Sequence, residues 1–498
     1  MMQDKQFFEE FEQFCAERKE KILHSADEVA IRGTTYYVRA DGCDENDGLS
    51  DATAWKTLQK VSQAELQEGD GVRFRRGDIF RGFLVAQQGV TYCAYGEGEK
   101  PRIYGWDKDL ADSALWTCVD EEHHIWKLNE DILDSGTLVF NDGEAHSRKL
   151  IPTYTREGTF VCRDDESRPF DMAKEMTRDL DLFCRYEGEM ETRPSKGEDF
   201  PVPKMNGESF GELYLRCDKG NPGEVFDSIE ALPCRNMIQV GIKANVTLDN
   251  LCLRYAGAHA VGAGGGHVVG LHVTNCEIGW IGGVIQNYLG LDPNYPEGGR
   301  GTVTRFGNGV EIYGGCEDYR VENCWIYQIY DAGITHQITA RSQRIMENIR
   351  YRGNLLEYCV YSIEYFLETI GETGSYMRDI VMEDNIMRMS GYGWGQQRHN
   401  YHTPAHIKGW SFDNKASDFI IRNNYFDRAG YRMLHTVARE EESCPVYDGN
   451  TYIQTLGGTI GKRGGNAAGE PEDRIFDENA AETIRTVFGD AHAKVYFA

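Results

Sequence analysis

The segment YDAGITHQ, residues 330–337, brings acidic, hydroxyl, imidazole and amide side chains together in a region otherwise rich in aliphatic residues and asparagine. Neighbouring segments with a similar apolar–polar alternation carry Glu311 and Glu364. Hydrolysis of a glycosidic bond needs two carboxyl groups, one acting as acid and the other as nucleophile or base. We therefore expect Asp331 and Glu364 to form the catalytic pair, with Glu311 as a third candidate.

A short repeated frame should position these carboxylates. Each copy is a strand of alternating apolar and polar residues, then an asparagine, then another short strand. Repeats of this length cannot bury an apolar face alone and must stack on their neighbours. The asparagine suits a turn that tolerates a left-handed backbone and stacked side-chain amides. The frame asparagines are Asn250, Asn275, Asn323, Asn354, Asn385 and Asn424.

Stacked frames of this kind predict an all-β protein folded as a right-handed parallel β-helix, a solenoid. A propeller is the alternative, but its blades need hairpin turns, and Asn-Gly pairs are sparse in this chain. The first residues differ from the repeat. Phe7, Phe8, Phe11 and Phe14 recur at helical spacing, which predicts an N-terminal amphipathic helix docked on the body.

The repeat divides the chain into five expected parts. The segment TLGGTIGKRGGNAAGEPED is expected to be a loop. The residues after it should cover the last coil, because a stacked coil otherwise exposes a pairing edge. The parts are the N-terminal helix (1–32), the N-terminal coils (33–106), an inserted β-rich module (107–210), the main β-helix with the active-site groove (211–440), and a C-terminal loop and cap (441–498).

The N-terminal coils also carry a family resemblance. The segment YYVRADGCDENDGLSDATAWKTLQKV, followed by GDGVRFRRGDIF and AYGEGEKPRIYG, resembles the opening of pectin-lyase-like β-helix proteins of carbohydrate metabolism. The likeness covers about residues 34–106 and 211–440. It implies the β-helix fold and a likeness to β-helix glycoside hydrolases. The same family holds polysaccharide lyases, epimerases and non-enzymatic adhesins, so the fold does not fix the reaction.

Aligning the second strands of the frames predicts which side chains face outward. The middle residue of each strand forms an apolar column, and the next residue must face outward because side chains alternate along a strand. The predicted outward column is Glu311, Thr335, Glu364, Gly395 and Leu434. The following column is His336, Tyr365, Gln396 and His435, and the sequence leaves open whether it faces the groove or the core.

Two long insertions beside these coils are expected to build a substrate groove, since loops over a solenoid commonly carry function. The second, QQRHNYHTPAHIKGW, combines cations with aromatic rings, which suit sugar hydroxyls, carboxylates and apolar ring faces. A weaker alternative is that its histidines, His399, His402 and His406, bind a metal ion. Because no carboxylate cluster lies near them in the sequence, no metal and no cofactor are expected. The predicted substrate-binding residues are His336, Gln337, Trp394, Gln396, Arg398, His406 and Lys408.

Spacing guides the choice of reaction. Coils of a β-helix are stacked ~4.8 Å apart. Asp331 and Glu364 lie one coil apart and should approach the ~5–5.5 Å of retaining glycosidases, which favours retention slightly. Glu311 and Glu364 lie two coils apart, at the upper end for inverting enzymes. The alternatives are a polysaccharide lyase acting on uronate-containing glycans, with His406 or Lys408 as base and Arg398 as neutraliser, and a non-catalytic glycan-binding solenoid.

The charge balance limits the partners. Asp and Glu number 80 against 53 Lys and Arg, a formal net charge of -27, which repels nucleic acid and anionic membranes. The 14 cysteines lack zinc-ligand spacing and are expected to be reduced thiols. The N-terminus lacks an apolar signal region, and no apolar run reaches membrane-spanning length. We therefore expect a cytoplasmic protein whose partner is an oligosaccharide or glycoside.

Overall fold

The repeated frames stack into a parallel β-helix with three sheet faces. The structure, a computed structural model, describes residues 2–151, 153–154, 160–162, 165–186, 190–195, 198–203, 210–289, 302–398 and 403–498. Strands of successive coils pair in parallel on each face. The predicted β-helix is therefore confirmed, in the right-handed sense that parallel crossovers adopt.

The first face carries the candidate catalytic residues. Inside it, Val310 pairs with Ile334 and Ile334 with Ile363, and all three side chains are fully buried. This apolar line fixes the register, because a slip of one residue would turn it towards solvent. The strands of this face are Leu84–Val85, Ile238–Gly241, Val261–Val269, Val310–Glu322 (its first half), Ala332–Ala340, Tyr361–Thr369, Ala405–Gly409, Arg432–Ala438 and Thr459–Gly465.

The second and third faces complete each coil. The second contains Thr35–Val38, Gly71–Arg75, Thr91–Tyr95, Val246–Asp249, Leu271–Thr274, the second half of Val310–Glu322, Ile345–Arg352, Tyr376–Glu383, Ala416–Arg422 and Val446–Asp448. The third contains Ile79–Arg81, Arg102–Tyr104, Cys252–Ala256, Glu277–Ile281, Trp325–Ile329, Leu355–Glu357, Ile386–Arg388, Tyr425–Asp427, Thr451–Gln454 and Lys494–Phe497.

The frame asparagine occupies two neighbouring positions rather than one. Asn250, Asn275 and Asn323 have a left-handed backbone, with φ of 59°, 54° and 51°. In later coils another residue takes that position, and the asparagine follows it. Both predicted roles of asparagine are therefore present, but on adjacent residues. The later left-handed residues are Gly353, Asp384, Asn423 and Gly449.

The second position builds a ladder of buried side-chain amides. The Oδ1 of Asn385 accepts the backbone N–H of Asn354 at 3.1 Å, and Asn424 does the same for Asn385 at 3.0 Å. Asn450 continues the ladder, and the carboxylate of Asp490 ends it at 2.9 Å from the Asn450 amide. The ladder satisfies buried backbone donors at the turn of each coil.

The N-terminal helix, Met2–Leu23, lies on the third face. Its buried Phe11, Cys15 and Ile22 pack in one cluster with residues of that face. The ring of Phe11 stacks on Tyr425, with centroids 5.3 Å apart. The predicted amphipathic helix is confirmed, and burial of its apolar stripe holds it in place.

Between the first and the main coils the chain forms separate, mainly antiparallel sheets with their own apolar core. This β-rich insertion contacts the solenoid through Gln397, which donates to the carbonyl of Ser147 at 2.8 Å and accepts from the backbone of Lys149 at 3.1 Å. Its strands are Trp116–Asp120, Ile125–Leu128, Ile132–Leu133, Ser135–Phe140, Ala145–His146, Arg148–Lys149, Thr153–Tyr154, Phe160–Cys162, Asp165–Pro169, Asp181–Tyr186, Met190–Ser195, Glu198–Pro203, Phe210–Arg216 and Ile229–Pro233.

The coils continue beyond residue 440. Part of the expected loop, Thr459–Gly465, is a strand paired with Arg432–Ala438, so the loop prediction was wrong there. Gly461 has a φ of 120°, and a side chain on it would lie 1.7 Å from the Leu434 carbonyl oxygen, so its glycine permits the close pairing. Glycine here serves a strand and not a loop.

Shorter elements connect the sheets. A hairpin is formed by Val284–Leu289 and Thr302–Phe306, and Arg474–Ile475 pairs antiparallel with Thr459–Gly465. Short helices and turns are Asp51–Thr53, Leu58–Gln63, Ser113–Leu115, Asn141–Gly143, Met172–Glu175, Pro222–Val225, Trp394–Gln397, Glu441–Ser443, Ala480–Thr483 and Ile484–Phe488. The thirteen cysteines whose side chains are described are free thiols. Within the described ranges, none of the helices has the length and apolar character needed to cross a membrane.

Candidate active site

Strand register on the first face places five polar residues in one outward row. The pairing of Val310 with Ile334 sets Glu311 beside Thr335. Thr335 pairs with Glu364, Glu364 with Lys408, and Lys408 with His435. The first three members follow the predicted column. Neighbouring members of the row are separated by one strand spacing of ~4.8 Å.

The fourth and fifth positions of the predicted column were wrong. Gly395 belongs to the turn Trp394–Gln397, which precedes the strand Ala405–Gly409. Leu434 points inward and pairs with Ile407. The extra residues of this long coil lie before its strand on the first face. Counting from the frame asparagine therefore misses the residues that occupy the row.

Glu311 is held by its neighbours. Its Oε2 accepts hydrogen bonds from Asn308 Nδ2 at 2.6 Å, Thr335 Oγ1 at 2.6 Å and Gln337 Nε2 at 3.1 Å. Gln337 also reaches Oε1 at 3.2 Å. The backbone N–H of Ala332, next to Asp331, donates to Asn308 Oδ1 at 2.8 Å. Glu311 therefore anchors a rigid hydrogen-bonded group beside Asp331.

Glu364 lies in an environment that favours its protonated form. Burial, and then the nearby charge of Asp331, raise its pKa to about 8. The indole N–H of Trp410 donates a hydrogen bond to Oε1 and opposes this shift, as does the Arg398 charge. A carboxyl group with this pKa carries its proton at neutral pH and is suited to act as a general acid.

Asp331 reaches the same cluster from the residue just before the strand Ala332–Ala340. Burial raises its pKa, and the Arg398 guanidinium, ion-paired with its Oδ1, opposes that effect. Because only Asp331 has this direct cationic partner, it should lose its proton before Glu364 does. The two carboxyl groups thus occupy unlike environments, one paired with a cation and the other hydrogen-bonded to an indole.

Lys408 is buried beside Glu364. Its Nζ lies 4.0 Å from the centre of the Trp410 ring and 2.8 Å from His435 Nδ1. Burial, followed by the Arg432 charge, lowers its pKa to about 7. Only 2% of the residue is exposed, so it is not the loop cation that the sequence suggested. Lys408 is part of the wall of the cluster.

This burial changes what is expected from mutating Lys408. We expect Lys408→Ala to lower the free energy of unfolding by about 1–3 kcal/mol, because it removes a packed side chain from a closed site. Lys408→Met keeps most of the volume and should recover over half of that loss. Denaturant titration measures both. An unchanged free energy of unfolding in Lys408→Ala would contradict the packed position.

His336 and His406 lie inside the solenoid and not on the groove. His336 is fully buried, stacks on Tyr365 with ring centroids 5.7 Å apart, and its Nδ1 lies 2.8 Å from the Tyr351 hydroxyl. His406 is equally buried, with Nδ1 2.8 Å from Ser390 Oγ. Their predicted places in a substrate groove were therefore wrong. The open question about the His336 column is answered for His336 and Tyr365, which face the core.

The other predicted binding residues are dispersed. Trp394 is buried, packs on Tyr330 and donates its indole N–H to the Gln328 carbonyl at 2.7 Å, so it offers no open stacking face. Gln396 is exposed on the same turn, and Gln337 is engaged with Glu311. Arg398 and Lys408 belong to the carboxylate cluster. His399 and His402 lie outside the described residues.

Sequence reasoning missed His259 as a member of the site. It lies on the coil before Glu311, and its Nδ1 accepts the backbone N–H of Asn308 at 3.1 Å. Burial lowers its pKa, opposed by the charges of Glu311 and Asp331. The available sequence signal was the position of His259 just before the strand Val261–Val269. The sequence did not show how that strand pairs with the strand of Glu311. In the part of the chain that is described, no cluster of three or more His, Cys, Asp or Glu side chains is arranged to hold a metal ion.

Comparison with known proteins gives the following likenesses. No family model and no curated protein matches this chain. Among solved structures, a selenomethionine derivative of the GH136 lacto-N-biosidase from Eubacterium ramulus is 12% identical, with a TM-score of 0.32. That match covers 85% of this chain and 64% of the biosidase, so the chain spans under two thirds of its length.

Two further solved structures are similar to this chain at comparably low identity. XylC in complex with xylose is 11% identical over 93% of this chain and 82% of its own, with a TM-score of 0.38. The polygalacturonase from Erwinia carotovora ssp. carotovora is 12% identical over 86% and 94%, with a TM-score of 0.32. Because the identities and TM-scores of these matches are low, the fold assignment rests on the strand pairing of the chain itself. That pairing is a parallel β-helix, the fold implied by the pectin-lyase-like resemblance.

Proposed function

We propose that this protein is a glycoside hydrolase acting on oligosaccharides or glycosides through Asp331 and Glu364. The observation that carries the proposal is their placement in one buried cluster with unlike partners. The Arg398 guanidinium pairs with Asp331, while burial raises the pKa of Glu364 to about 8. Burial raises the pKa of Asp331 too, but its guanidinium partner favours the carboxylate. One ionised and one protonated carboxyl group are the arrangement that glycoside hydrolysis uses.

In the proposed mechanism Glu364 protonates the glycosidic oxygen as the bond to the anomeric carbon breaks. The Asp331 carboxylate attacks that carbon from the opposite face and forms a covalent glycosyl ester. Glu364, now ionised, removes a proton from water, which attacks the ester and releases the sugar. Arg398 orients Asp331, and Trp410 orients Glu364. Glu311 keeps its hydrogen bonds to Asn308, Thr335 and Gln337 and holds the wall beside Asp331.

A polysaccharide lyase is the second candidate, because one observation favours it. Lys408 has a pKa lowered to about 7 and pairs in register with Glu364. A lysine that loses its proton near neutral pH can act as the base that removes a proton from a uronate ring. The two reactions differ in product, since β-elimination leaves an unsaturated sugar and hydrolysis does not.

A panel of aryl glycosides and unlabelled oligosaccharides tests the proposed function. We expect at least one class to be cleaved by the wild-type protein to saturated sugars, identified by mass spectrometry. The Glu364→Gln variant, assayed in parallel, controls for contaminating glycosidases. Products with absorbance near the ultraviolet edge would favour the lyase. Absence of cleavage throughout a panel that includes uronate glycans would contradict both enzymes.

Azide should identify the nucleophile once a substrate is known. We expect Asp331→Ala to lose turnover and to regain it when azide is added, giving a glycosyl azide of inverted configuration. The small anion enters the space of the missing carboxylate, next to the Arg398 guanidinium. NMR of the product gives the configuration. Rescue of a Glu364→Ala variant instead would exchange the two roles. No rescue in either variant, with an inactive Glu311→Gln protein, would point to an inverting pair of Glu311 and Glu364.

A further inference from the structure

The two ends of the outward row differ in exposure. At the C-terminal end, the side chains of Lys408, His435 and Lys462 point outward from the first face, yet the three residues are only 2%, 4% and 8% exposed. Outward-facing polar side chains of this kind normally remain in contact with water. Something therefore covers this end of the groove.

The cover over His435 and Lys462 is the segment 466–473, here called the strap, while the Trp410 ring lies over Lys408. Its Glu470 pairs with Lys462 and accepts a hydrogen bond from Ser411 Oγ at 2.5 Å. Its Asp473 accepts two hydrogen bonds from Arg432, at 2.6 and 2.7 Å. Two charged anchors with this geometry, the second one bidentate, fix the strap across the row.

The strap is tied to the residues next to Glu364. The hydroxyl of Ser411, which binds Glu470, also lies 3.0 Å from His435 Nε2. The Nδ1 of His435 in turn lies 2.8 Å from Lys408 Nζ, and Lys408 is the strand-register partner of Glu364. The covered end therefore begins one strand beyond the proposed acid.

The opposite end of the row opens into a cavity of about 370 Å³. Its wall includes Arg235, Asn236, Gln239, His259 and Phe306. Gln239 stands in the same row as Glu311, two strands away, with Gly262 between them. Through Gln239 the cavity lies at the far end of the row that carries Glu311 and Glu364, and it falls in the size range of small-ligand sites.

Apart from Arg235, whose guanidinium lies 4.9 Å from the centre of the Phe83 ring, the polar groups of the cavity are neutral and suit sugar hydroxyls. His259 Nδ1 accepts the Asn308 backbone N–H, so in the neutral imidazole the proton is on Nε2, which can donate to a hydroxyl. The side-chain amides of Asn236 and Gln239 add donors and acceptors. The ring of Phe306, edge-to-face with His259 at 5.2 Å, adds an apolar surface for a pyranose.

We propose that the groove is blind at the strap and that the enzyme acts at chain ends, with the remainder of the substrate running over His259 into the cavity. This inference rests on the proposed function and specifies it. A substrate bound at Asp331 and Glu364 extends in one direction only. Bonds in the interior of a long chain then have no productive position, while terminal bonds do.

The test uses oligosaccharides of the class cleaved in the panel, with one end labelled by 2-aminobenzamide. The wild-type protein is expected to shorten them from one end, so that early products are a single short sugar and chains one step shorter. The double variant Glu470→Ala/Asp473→Ala should raise the share of internal cleavage at least tenfold. Glu472→Ala, an exposed carboxylate of the same strap, is the matched control and should leave the pattern unchanged.

Each result decides the inference. Early internal cleavage by the wild-type protein would overturn it while leaving the proposed function intact. An unchanged pattern in a folded double variant would also overturn it, and Glu470→Gln/Asp473→Asn provides a second variant if the first fails to fold. Saturation-transfer NMR of the panel with Glu364→Gln adds a readout without turnover, in which terminal sugars should receive more saturation than internal ones. Neither binding nor cleavage of any glycan would remove both proposals.

Discussion

Glu364→Gln is expected to lower kcat by about 10²–10⁴-fold, because the amide cannot protonate the departing glycosidic oxygen. The change keeps the shape of the side chain, and an amide oxygen can still accept the hydrogen bond that Trp410 donates to Glu364. The free energy of unfolding should therefore not fall. At neutral pH the buried carboxyl group keeps its proton in the folded state but ionises in the unfolded chain, so replacing it with an amide removes a contribution that favours unfolding.

The matched control for this variant is Glu368→Gln. Glu368 lies on the same strand, Tyr361–Thr369, and accepts a hydrogen bond from Thr339 at 2.8 Å, outside the carboxylate cluster. It should keep wild-type kcat. The loss in Glu364→Gln should be smallest on dinitrophenyl glycosides, whose leaving group needs no proton. Wild-type activity in a folded Glu364→Gln protein would remove Glu364 from the mechanism.

Acid should destabilise the solenoid through its two interior histidines. Burial lowers the pKa of His336 and of His406 from 6.5 to about 3. Between those values the unfolded chain binds more protons than the folded one, so the free energy of unfolding falls as pH falls. Each histidine contributes a slope of about 1.4 kcal/mol per pH unit. The free energy of unfolding should have its full value above pH 6.5. The two histidines together should lower it by roughly 5 kcal/mol or more by pH 4.

His336→Phe isolates one of the two contributions. The new ring keeps the stack on Tyr365 but cannot titrate, so the slope between pH 6.5 and 4 should fall by about 1.4 kcal/mol per pH unit. His492→Phe changes an exposed histidine whose pKa is raised by Asp448, and it should not flatten the acid slope. Denaturant titrations at a series of pH values measure both. An unaltered slope in His336→Phe would show that His336 is accessible to protons in the folded state.

The sequence was sufficient to predict the row as far as Glu364. The apolar residues Val310, Ile334 and Ile363 follow one another at intervals of 24 and 29 residues, and strict alternation then turns Glu311 and Glu364 outward. Strict alternation would also bury His336, but the sequence left its direction open, and its predicted place in the groove was wrong because the structure buries it. Beyond Glu364 the interval lengthens, and the sequence does not show on which side of the strand the extra residues lie.

The periodicity of the sequence could not predict contacts between residues that are distant along the chain. The pairing of Arg398 with Asp331 and of Trp410 with Glu364 depends on how a long insertion returns to the groove. The asparagine frame shows a related limit. One amino acid satisfies both the left-handed turn and the adjacent amide ladder, so alignment on asparagine shifts the register by one residue in half of the coils.

The strap illustrates why glycine-rich sequence is ambiguous. Glycine is typical of loops, but it also permits close pairing of strands, and here both occur in succession. Gly461 lies in a strand, whereas the strap itself begins after Gly465. Only the charged anchors, Glu470 and Asp473, reveal its role, and their partners Lys462 and Arg432 are identified by the folded coil.

The most direct test of the central claim is to run the cleavage reaction in water enriched in oxygen-18 and weigh the first products. Hydrolysis by Asp331 and Glu364 predicts that the sugar bearing the new hemiacetal carries one heavy oxygen, while the leaving sugar carries none and neither product absorbs near the ultraviolet edge. Unsaturated products without heavy oxygen would contradict hydrolysis and would favour the lyase.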